Sequence, residues 1–330
     1  MKKKMGKVFR IVLLVSFIFI TATVLALPAF ASDTSWATKY PIIMAHGMGF
    51  IATPVYPNSF PGIGEALTAK GAKVYFTNVD SLASTRQKAE QFKAQFLQIK
   101  AATGAAKFNI IGHSHGGLYT RDAITNLGLY PYVASLTTVD SPHRGSKIAQ
   151  TMVDIKRLVP ALAEMMAGMV PFAGDQSQLD INILNLSEDY MNRVFNPNTP
   201  NKSGIYYQSW TGAFRDYNIF SMLSYFLNML TQSLGGTLEQ PSTPQQYVAA
   251  FHKALPALAT EMWLLWAGFN DGLVTDDSAK WGYFRGTEFG SWWSHGVDHL
   301  DMVNLNSNGV SFDVVGGYVN IAKGLKSKGY

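Results

Sequence analysis

The feature that most constrains this chain is an apolar segment that runs directly into the sequence Gly-His-Ser-His-Gly. The segment Phe108–Gly112 is apolar apart from Asn109, and a helical pattern follows Ser114. A strand-to-helix turn that exposes a serine is so tight that flanking glycines are needed to avoid backbone clashes. The pattern is therefore typical of a nucleophile elbow, in which the Ser114 hydroxyl stands at the end of a sheet.

Alternating strand and helix patterns surround this motif between Pro41 and Ser146. The predicted strands are Pro41–Ala45, Lys73–Thr77, Lys107–Gly112 and Val133–Val139. The predicted helices are Ile63–Lys70, Ser84–Ala102 and Gly116–Leu127. Such alternation is the signature of βαβ units. Together with the elbow it predicts an α/β-hydrolase fold, with a mostly parallel sheet and helices on both faces.

The pattern changes between residues 150 and 260, where Met- and Leu-rich helical stretches are broken by Pro and Gly. Within this range the one convincing strand pattern is Ile205–Trp210. We expect a helical cap inserted into one domain that spans residues 32–330. The cap helices either pack permanently on the sheet or form a movable lid whose apolar face meets lipid when it opens.

The N-terminal residues predict the compartment. A basic stretch precedes the uncharged apolar segment Ile11–Leu27, and Ala29-Phe30-Ala31 supplies small residues before Ser32. Residues 1–31 are therefore predicted to be a signal peptide, cleaved between Ala31 and Ser32 to release a secreted protein. The alternative is a retained membrane anchor, which would leave Met1 as the N-terminus.

Composition adds two constraints. The five basic residues of the leader account for the whole net charge of +5, so the basic balance gives no indication of nucleic-acid binding. The chain has no cysteine, so a secreted form depends on its core rather than on disulfides. About 300 residues can bury a core of that kind.

A serine nucleophile needs a base and an orienting acid, which follow it in the order Ser, Asp, His in this fold. Of the late histidines, His252 lies in the predicted cap and His295 has no patterned context. His299 stands in a loop that enters an apolar segment near the C-terminus, where the fold needs its histidine. We therefore predict His299 as the general base.

The predicted acid is Asp271, which lies in a turn signal just after an apolar run. Asp276 and Asp277 are adjacent to each other and are expected to be solvated. The backbone N–H of His115, at the start of the helix after the nucleophile, is a predicted oxyanion-hole donor. The second is the N–H of Met48, because His-Gly-Met-Gly follows the first strand, where this fold places its other oxyanion loop.

At these positions the chain resembles the bacterial true lipases related to the Pseudomonas, Burkholderia and Proteus enzymes. The resemblance covers most of the mature chain outside the cap. Its segments are Tyr40–Phe50, Gly112–Gly117, Ser141–Ser146, Asn270–Val274 with Ser278 and Gly282, and Asp298–Asn304. It implies triacylglycerol lipase activity, with Ser114, Asp271 and His299 as the triad and Met48 and His115 as the oxyanion donors.

The resemblance also implies a structural calcium ion near the catalytic histidine, and no cofactor for catalysis. Asp301 matches one carboxylate ligand, and the carbonyls of Leu305 and Gly309 fall at the family's spacing. The family's Leu-Asp-Pro-Ser segment is absent, and Asp216 is the nearest substitute for the second carboxylate. Carbonyls plus two carboxylates would suit calcium.

A disulfide of many relatives cannot form here, because Asp277 occupies one of its positions. The resemblance therefore places the chain near the cysteine-free branch, to which dependence on a dedicated foldase does not transfer.

The leading functional hypothesis is hydrolysis of long-chain acylglycerols at a lipid–water interface. A carboxylesterase or phospholipase with the same triad is the enzyme alternative, and the apolar cap favours lipid. An inactive lipid-binding protein on the same fold is the non-enzyme alternative, since a fold does not imply a function. Chain-length preference, regioselectivity, lid movement and oligomeric state are left open by the sequence.

Overall fold

The computed structural model describes residues 36–48, 59–158, 176–215, 217, 246, 249, 256–260, 268–305 and 312–330. The chain divides into two units, residues 1–33 and Thr34–Tyr330, and the described residues all belong to the second. The predicted signal peptide and most of the predicted cap, with His252, lie outside them. In the parts of the chain just given, no helix combines the length and the hydropathy needed to cross a bilayer.

Six strands form one sheet in the order β2-β1-β3-β4-β5-β6. They are β1 Ile42–Ala45, β2 Val74–Thr77, β3 Phe108–His113, β4 Val133–Val139, β5 Tyr206–Gly212 and β6 Tyr283–Glu288. Every neighbouring pair is parallel. The predicted parallel sheet is confirmed, and the four predicted early strands agree with β1 to β4 to within one residue at either end.

Helices connect these strands. They are α1 Ile63–Ala69, α2 Thr85–Thr103, α3 His115–Asn126, α4 Lys147–Leu158, α5 Leu179–Leu186, α6 Glu188–Tyr190, α7 Asn196–Asn198, α8 Asp276–Ala279 and α9 Val314–Ser327. A π-helical turn, Met191–Phe195, joins α6 to α7. Short 3₁₀ turns lie at Tyr130–Tyr132, Gln176–Gln178 and Asp301–Val303.

The central strands are buried on both faces, as a parallel sheet covered by helices requires. In β1, Ile42 and Met44 pack with Ile321 and Leu325 of α9 on one face, where α1 also lies. Alternate residues of the same strand turn to the other face, because side chains alternate along a strand. There Ile43 joins a cluster that holds the phenylalanines of α2 and Tyr119 of α3. Two cores thus fix the sheet from both sides.

The helix α2 is bounded by its sequence at both ends. The Ser84 side chain accepts the N–H of Gln87, and the Gln87 side chain accepts the N–H of Ser84. This reciprocal capping box satisfies two donors that the first turn leaves free. At the other end Gly104 takes a left-handed conformation with φ of 65°. The predicted start at Ser84 is therefore the cap residue itself.

The predicted cap interval is interrupted by a strand of the sheet. β5 pairs with β4 on one side and with β6 on the other, so the chain returns to the sheet within residues 150–260. Before that return, α4 and α5 pack through Ala149, Leu179 and Ile183 against Leu82, with Met48 at the margin. In this structure the first part of the interval therefore covers the sheet domain beside the predicted oxyanion loop.

The close packing of α3 against β1 can be tested by a substitution at Gly116. A Cβ at Gly116 would collide with the backbone oxygen of Ala45, and neither backbone can move without disturbing the sheet. We expect Gly116→Ala to lower the free energy of unfolding by about 1–3 kcal/mol or more, as overpacking does. The measurement is urea unfolding followed by circular dichroism.

Gly324 is the matched control, because it is also a helical glycine. A Cβ there meets only the far end of Arg285, at 3.5 Å. We expect Gly324→Ala to raise the unfolding free energy by about 0.5–1 kcal/mol, the helix-propensity gain. Equal effects of the two substitutions would contradict this account of Gly116.

Candidate active site

Ser114 occupies a strained turn between β3 and α3. Its φ is 54° and its ψ is −127°, a conformation that residues with a side chain rarely adopt. The Ser114 N–H donates to the carbonyl of Val139 at 2.8 Å, which ties the turn to the end of β4. Within Gly112–Gly117, Ser114 is partly exposed while all its neighbours are buried. The predicted elbow is thus present, and it presents the hydroxyl at the carboxyl edge of the sheet.

The loop that carries Met48 lies directly against this serine. A Cβ on Gly47 would lie 2.6 Å from Ser114 Cβ and 3.2 Å from its Oγ, so only glycine permits the approach. His46 holds the loop in place: its Nδ1–H donates to Gly47 O at 2.8 Å, and its Nε2 accepts the N–H of Val79 at 3.0 Å. The predicted donor residue Met48 therefore directly follows a loop that is held beside the nucleophile.

Burial keeps His46 neutral, which both of these hydrogen bonds require. Desolvation lowers the pKa of His46 to about 4, and the charge of Lys88 acts in the same direction. The hydroxyl of Tyr119 on α3 donates to the His46 carbonyl at 2.8 Å. The loop is thus bonded to the helix that follows Ser114, and the two predicted oxyanion donors belong to one rigid assembly.

Asp271 and His299 meet as the sequence predicted. The Nδ1–H of His299 donates to Asp271 Oδ2 at 2.7 Å, and both side chains are buried. Asp271 Oδ1 accepts the N–H groups of Leu273 at 2.9 Å and Val274 at 2.7 Å. The turn that contains Asp271 therefore also holds its carboxylate in place. Because Nδ1 of His299 is bonded to Asp271, Nε2 is the ring nitrogen left for proton transfer.

The loop of His299 is held by its own carboxylates. Asp298 Oδ1 accepts the N–H groups of Leu300 at 2.8 Å and Asp301 at 2.9 Å, and Asp301 Oδ2 accepts the N–H of Asp298 at 3.0 Å. From the elbow, His113 Nε2–H donates to the His299 carbonyl at 3.1 Å. The segment of the base is therefore tied to the segment of the nucleophile.

The charges around His299 favour its protonated form. Burial lowers its pKa, but the charge of Asp271 and its hydrogen bond outweigh this and leave the pKa above its ordinary value. A base that gains a proton during acyl transfer is stabilised by such surroundings. Ser114, Asp271 and His299 thus stand at one edge of the sheet, in an arrangement suited to nucleophilic catalysis.

Comparisons with known proteins agree with this chemistry. Residues 41–234 match the family described as palmitoyl protein thioesterase. The chain belongs to that family.

Relatives of this palmitoyl protein thioesterase family member are named as lipases. It is 29% identical to triacylglycerol lipase 2 of Saccharomyces cerevisiae over 290 residues, which is 82% of this chain and 73% of the yeast protein. It is 40% identical to a triacylglycerol lipase of Burkholderia plantarii over 139 residues, which is 40% of this chain and only 37% of that protein. These relatives support a lipase family in general and make the chain a serine ester hydrolase.

Solved structures confirm the predicted α/β-hydrolase fold. The mature form of a Bacillus licheniformis lipase superposes with a TM-score of 0.52 at 19% identity, covering 82% of this chain and 88% of the other. At that identity the likeness shows the fold alone.

A buried lysine beneath the elbow was missed by the sequence analysis. Lys88 of α2 is fully buried, and its Nζ donates to Ser81 O at 2.7 Å and to His115 Nδ1 at 3.0 Å. His115 Nε2–H then donates to the hydroxyl of Thr85 at 2.7 Å. This chain of bonds fixes the residue whose N–H is a predicted oxyanion donor. Lys88 stands between polar neighbours such as Gln87 and Glu90, so no local pattern in the sequence marked it as buried.

A second carboxylate near His299 was also missed. Asp140 follows β4 directly, at the same edge as Ser114, and is fully buried. The sequence did contain a signal for Asp140, because it directly follows a predicted strand, and folds with parallel sheets place functional residues at the carboxyl ends of their strands.

The predicted calcium ligands are only partly described. Asp301 and Leu305 are described, whereas Asp216 and Gly309 lie outside the described residues. Of the four, only Asp301 thus supplies a described carboxylate, and its Oδ2 already accepts a backbone N–H. In the part of the chain that the structure describes, the one trio of His or acidic residues close enough to share an ion is His113, Asp140 and His299. The described donors alone fall short of the six or more oxygens that calcium takes.

Lys88 gives the stability of the protein a distinctive pH dependence. Burial lowers its pKa to about 7, against the ordinary 10.5 that it regains on unfolding. Between these values the unfolded chain binds more protons than the folded one, so the unfolding free energy contributed by Lys88 rises with pH. We expect the unfolding free energy of wild type to increase relative to that of Lys88→Met from about pH 7 to 10, by at most about 1.4 kcal/mol per pH unit.

The measurement is urea unfolding of both proteins at intervals across that range. Lys93→Met, a change at a partly exposed position on the same helix, is the control. A constant difference between wild type and Lys88→Met would contradict the burial of an ionisable Lys88.

Proposed function

We propose that the protein is a secreted triacylglycerol lipase that hydrolyses long-chain acylglycerols through Ser114, Asp271 and His299. The observation that carries the proposal is the buried bond of 2.7 Å between His299 and Asp271, beside the strained turn of Ser114. Relatives named triacylglycerol lipase support the reaction. The basic, apolar leader before Ser32 supports secretion.

In the proposed reaction, Ser114 Oγ attacks the ester carbonyl carbon while His299 Nε2 takes the hydroxyl proton. The oxyanion that forms receives hydrogen bonds from the N–H groups of Met48 and His115. Asp271 holds the His299 tautomer and stabilises the imidazolium without taking its proton. The imidazolium then protonates the departing glycerol oxygen, and water, activated by His299, releases the fatty acid from Ser114.

Exposed aromatic residues support a substrate at a lipid surface. Trp292 and Trp293 are 76% and 91% exposed in the loop that follows β6. Because β6 is parallel to β3, this loop lies at the carboxyl edge of the sheet, as Ser114 does. Tryptophan is favoured at membrane–water interfaces, where an apolar ring with a polar N–H fits both media. These side chains favour a lipase over an esterase for soluble substrates.

The family described as palmitoyl protein thioesterase raises a second candidate, hydrolysis of a long-chain acyl thioester. The same nucleophile, base and oxyanion donors would act on it, with a thiolate as the leaving group. An exposed aromatic loop suits a fatty acyl chain in either case. The assay below therefore includes a thioester.

The test compares purified mature wild type with Ser114→Ala. The substrates are emulsified triolein, a soluble short-chain p-nitrophenyl ester and palmitoyl-coenzyme A. We expect hydrolysis of triolein and of the soluble ester, and a fall in kcat of about 10⁶ for Ser114→Ala, as for other removed nucleophiles.

Ser135→Ala is the matched control, because Ser135 is a buried serine of the neighbouring strand whose hydroxyl bonds Asn109 far from the elbow. It should leave kcat unchanged. Hydrolysis of the soluble ester alone would favour a carboxylesterase, and turnover of the thioester alone a thioesterase. Absence of all three activities would leave only the lipid-binding alternative.

Calcium remains a separate proposal. Asp301 and Asp216, with the carbonyls of Leu305 and Gly309, would hold the ion and so brace the segment after His299. We expect EGTA to lower Tm by a few degrees, since a lost ligand destabilises by mass action. Asp301→Asn, which can still accept the N–H of Asp298, should abolish this response. If Tm and activity were both indifferent to EGTA, the calcium site would be refuted.

A further inference from the structure

A second buried carboxylate faces the histidine of the proposed triad. A carboxylate oxygen of Asp140, a ring nitrogen of His299 and a ring nitrogen of His113 all lie within 4.8 Å of one another. Asp140 is fully buried, so no water shell screens its charge from the imidazole. Asp271 approaches the same histidine from another loop. Two carboxylates therefore share one base.

The side chain of Asp140 is held rigidly by one of its oxygens only. Oδ1 accepts the hydroxyl of Thr211 at 2.6 Å and the N–H of Gly212 at 2.8 Å, both from the end of β5. Oδ2 is buried and has no hydrogen-bond partner among the described residues. Buried polar atoms without a partner are rare and call for an explanation. The closeness of this carboxyl group to His299 and His113 supplies one.

The backbone also indicates that the carboxylate is needed. Asp140 has φ of 47°, in the left-handed region that favours glycine. Its N–H donates to Trp210 O at 3.0 Å, which fixes the strained residue to β5. A glycine would take this conformation without strain. The residue present instead adds a buried ionisable group, and strain of this kind is typical of functional sites.

The two carboxylates cannot both carry a full charge at low cost. Burial, and then the charge of Asp271, raise the pKa of Asp140 well above its usual range, whereas His299 acts to lower it. Asp140 therefore favours its protonated, uncharged form. Loss of the Asp271 charge would remove one of the two effects that raise this pKa, so Asp140 would ionise more readily.

We propose that Asp140 is a second acid for His299, a positioning residue that supports the imidazolium and takes over part of the role of Asp271 when that carboxylate is lost. The inference rests on the proposed triad. No covalent step is added: the proton still passes from Ser114 to His299 and then to the leaving group. Asp140 acts only through the charge and orientation of the imidazole.

The test is a double-substitution cycle of Asp271→Asn and Asp140→Asn, read as kcat and KM on a soluble p-nitrophenyl ester. Loss of the only triad acid costs about 10⁴ in kcat. With Asp140 in reserve we expect Asp271→Asn to lose only about 100-fold, and the double variant to reach about the full 10⁴ loss, with KM little changed. Asp140→Asn alone should lose only a few-fold in kcat, because Asp271 still supports His299.

The choice of Asn and two control variants keep the result interpretable. Asn tolerates a left-handed conformation and still accepts the bonds of Thr211 and Gly212, so the fold is retained. Asp140→Gly, which suits the φ of this position, should reproduce the double-variant loss when combined with Asp271→Asn. Thr211→Val removes one bond to Asp140 but keeps its charge, so in the Asp271→Asn background it should change kcat far less.

Circular dichroism and titration of active sites with a p-nitrophenyl phosphonate give the folded, reactive fraction of each variant. A double variant that is folded and no slower than Asp271→Asn would overturn the role of Asp140, as would an equal loss in Thr211→Val. Failure of the triad itself is a different result: Ser114→Ala would keep the activity, and the phosphonate would not titrate wild type.

Discussion

The backbone contact between Gly116 and the carbonyl of Ala45 is the constraint on which the site depends. It brings α3 against β1, so the turn of Ser114 and the loop after β1 become neighbours. Gly47 then lies against Ser114, and Tyr119 bonds the carbonyl of His46. The proposed nucleophile and both proposed oxyanion donors are thereby fixed to each other before any substrate arrives. A preorganised site of this kind needs no rearrangement as charge develops.

Around this frame the protein buries several ionisable groups. His46 and Lys88 lie behind the oxyanion loops, and Asp140 and Asp271 lie behind His299. Each is neutral or is paired with a neighbour, because an isolated charge would be too costly in the interior. The histidine side of the site is surrounded by acid groups and the oxyanion side by a lysine. This distribution of charged groups suits acyl transfer, because acid groups stabilise the positive imidazolium and a lysine lies on the side where the negative oxyanion forms.

The sequence was sufficient where local chemistry decides the structure. The strand before Ser114, the glycines around it and the turn at Asp271 are short-range signals, and the structure places them as predicted. His299 was chosen by elimination and by the order of the triad in this fold, and the structure places it against Asp271. The strand pattern at Ile205–Trp210 likewise corresponds to β5, whereas most of the predicted cap lies outside the described residues.

No local pattern in the sequence marked the charged side chains that are buried. Arg121 of α3 is buried beneath Trp281, with its Cζ 3.7 Å from the ring centroid, and donates to His143 Nδ1 at 3.1 Å. His143 lies in the loop that follows β4. Partners that are separated by tens or hundreds of residues, such as these or Asp140 and Thr211, are brought together by topology alone. No periodicity along the chain records them.

The left-handed conformation of Asp140 has an evolutionary consequence. Aspartate and glycine codons differ by a single base, so the exchange that relieves the backbone is always one mutation away. Drift towards stability would remove the carboxylate in one step, whereas selection for turnover would retain it. Whether a homologue has aspartate or glycine at this position therefore shows which of the two pressures has prevailed in its lineage, independently of the rest of the site.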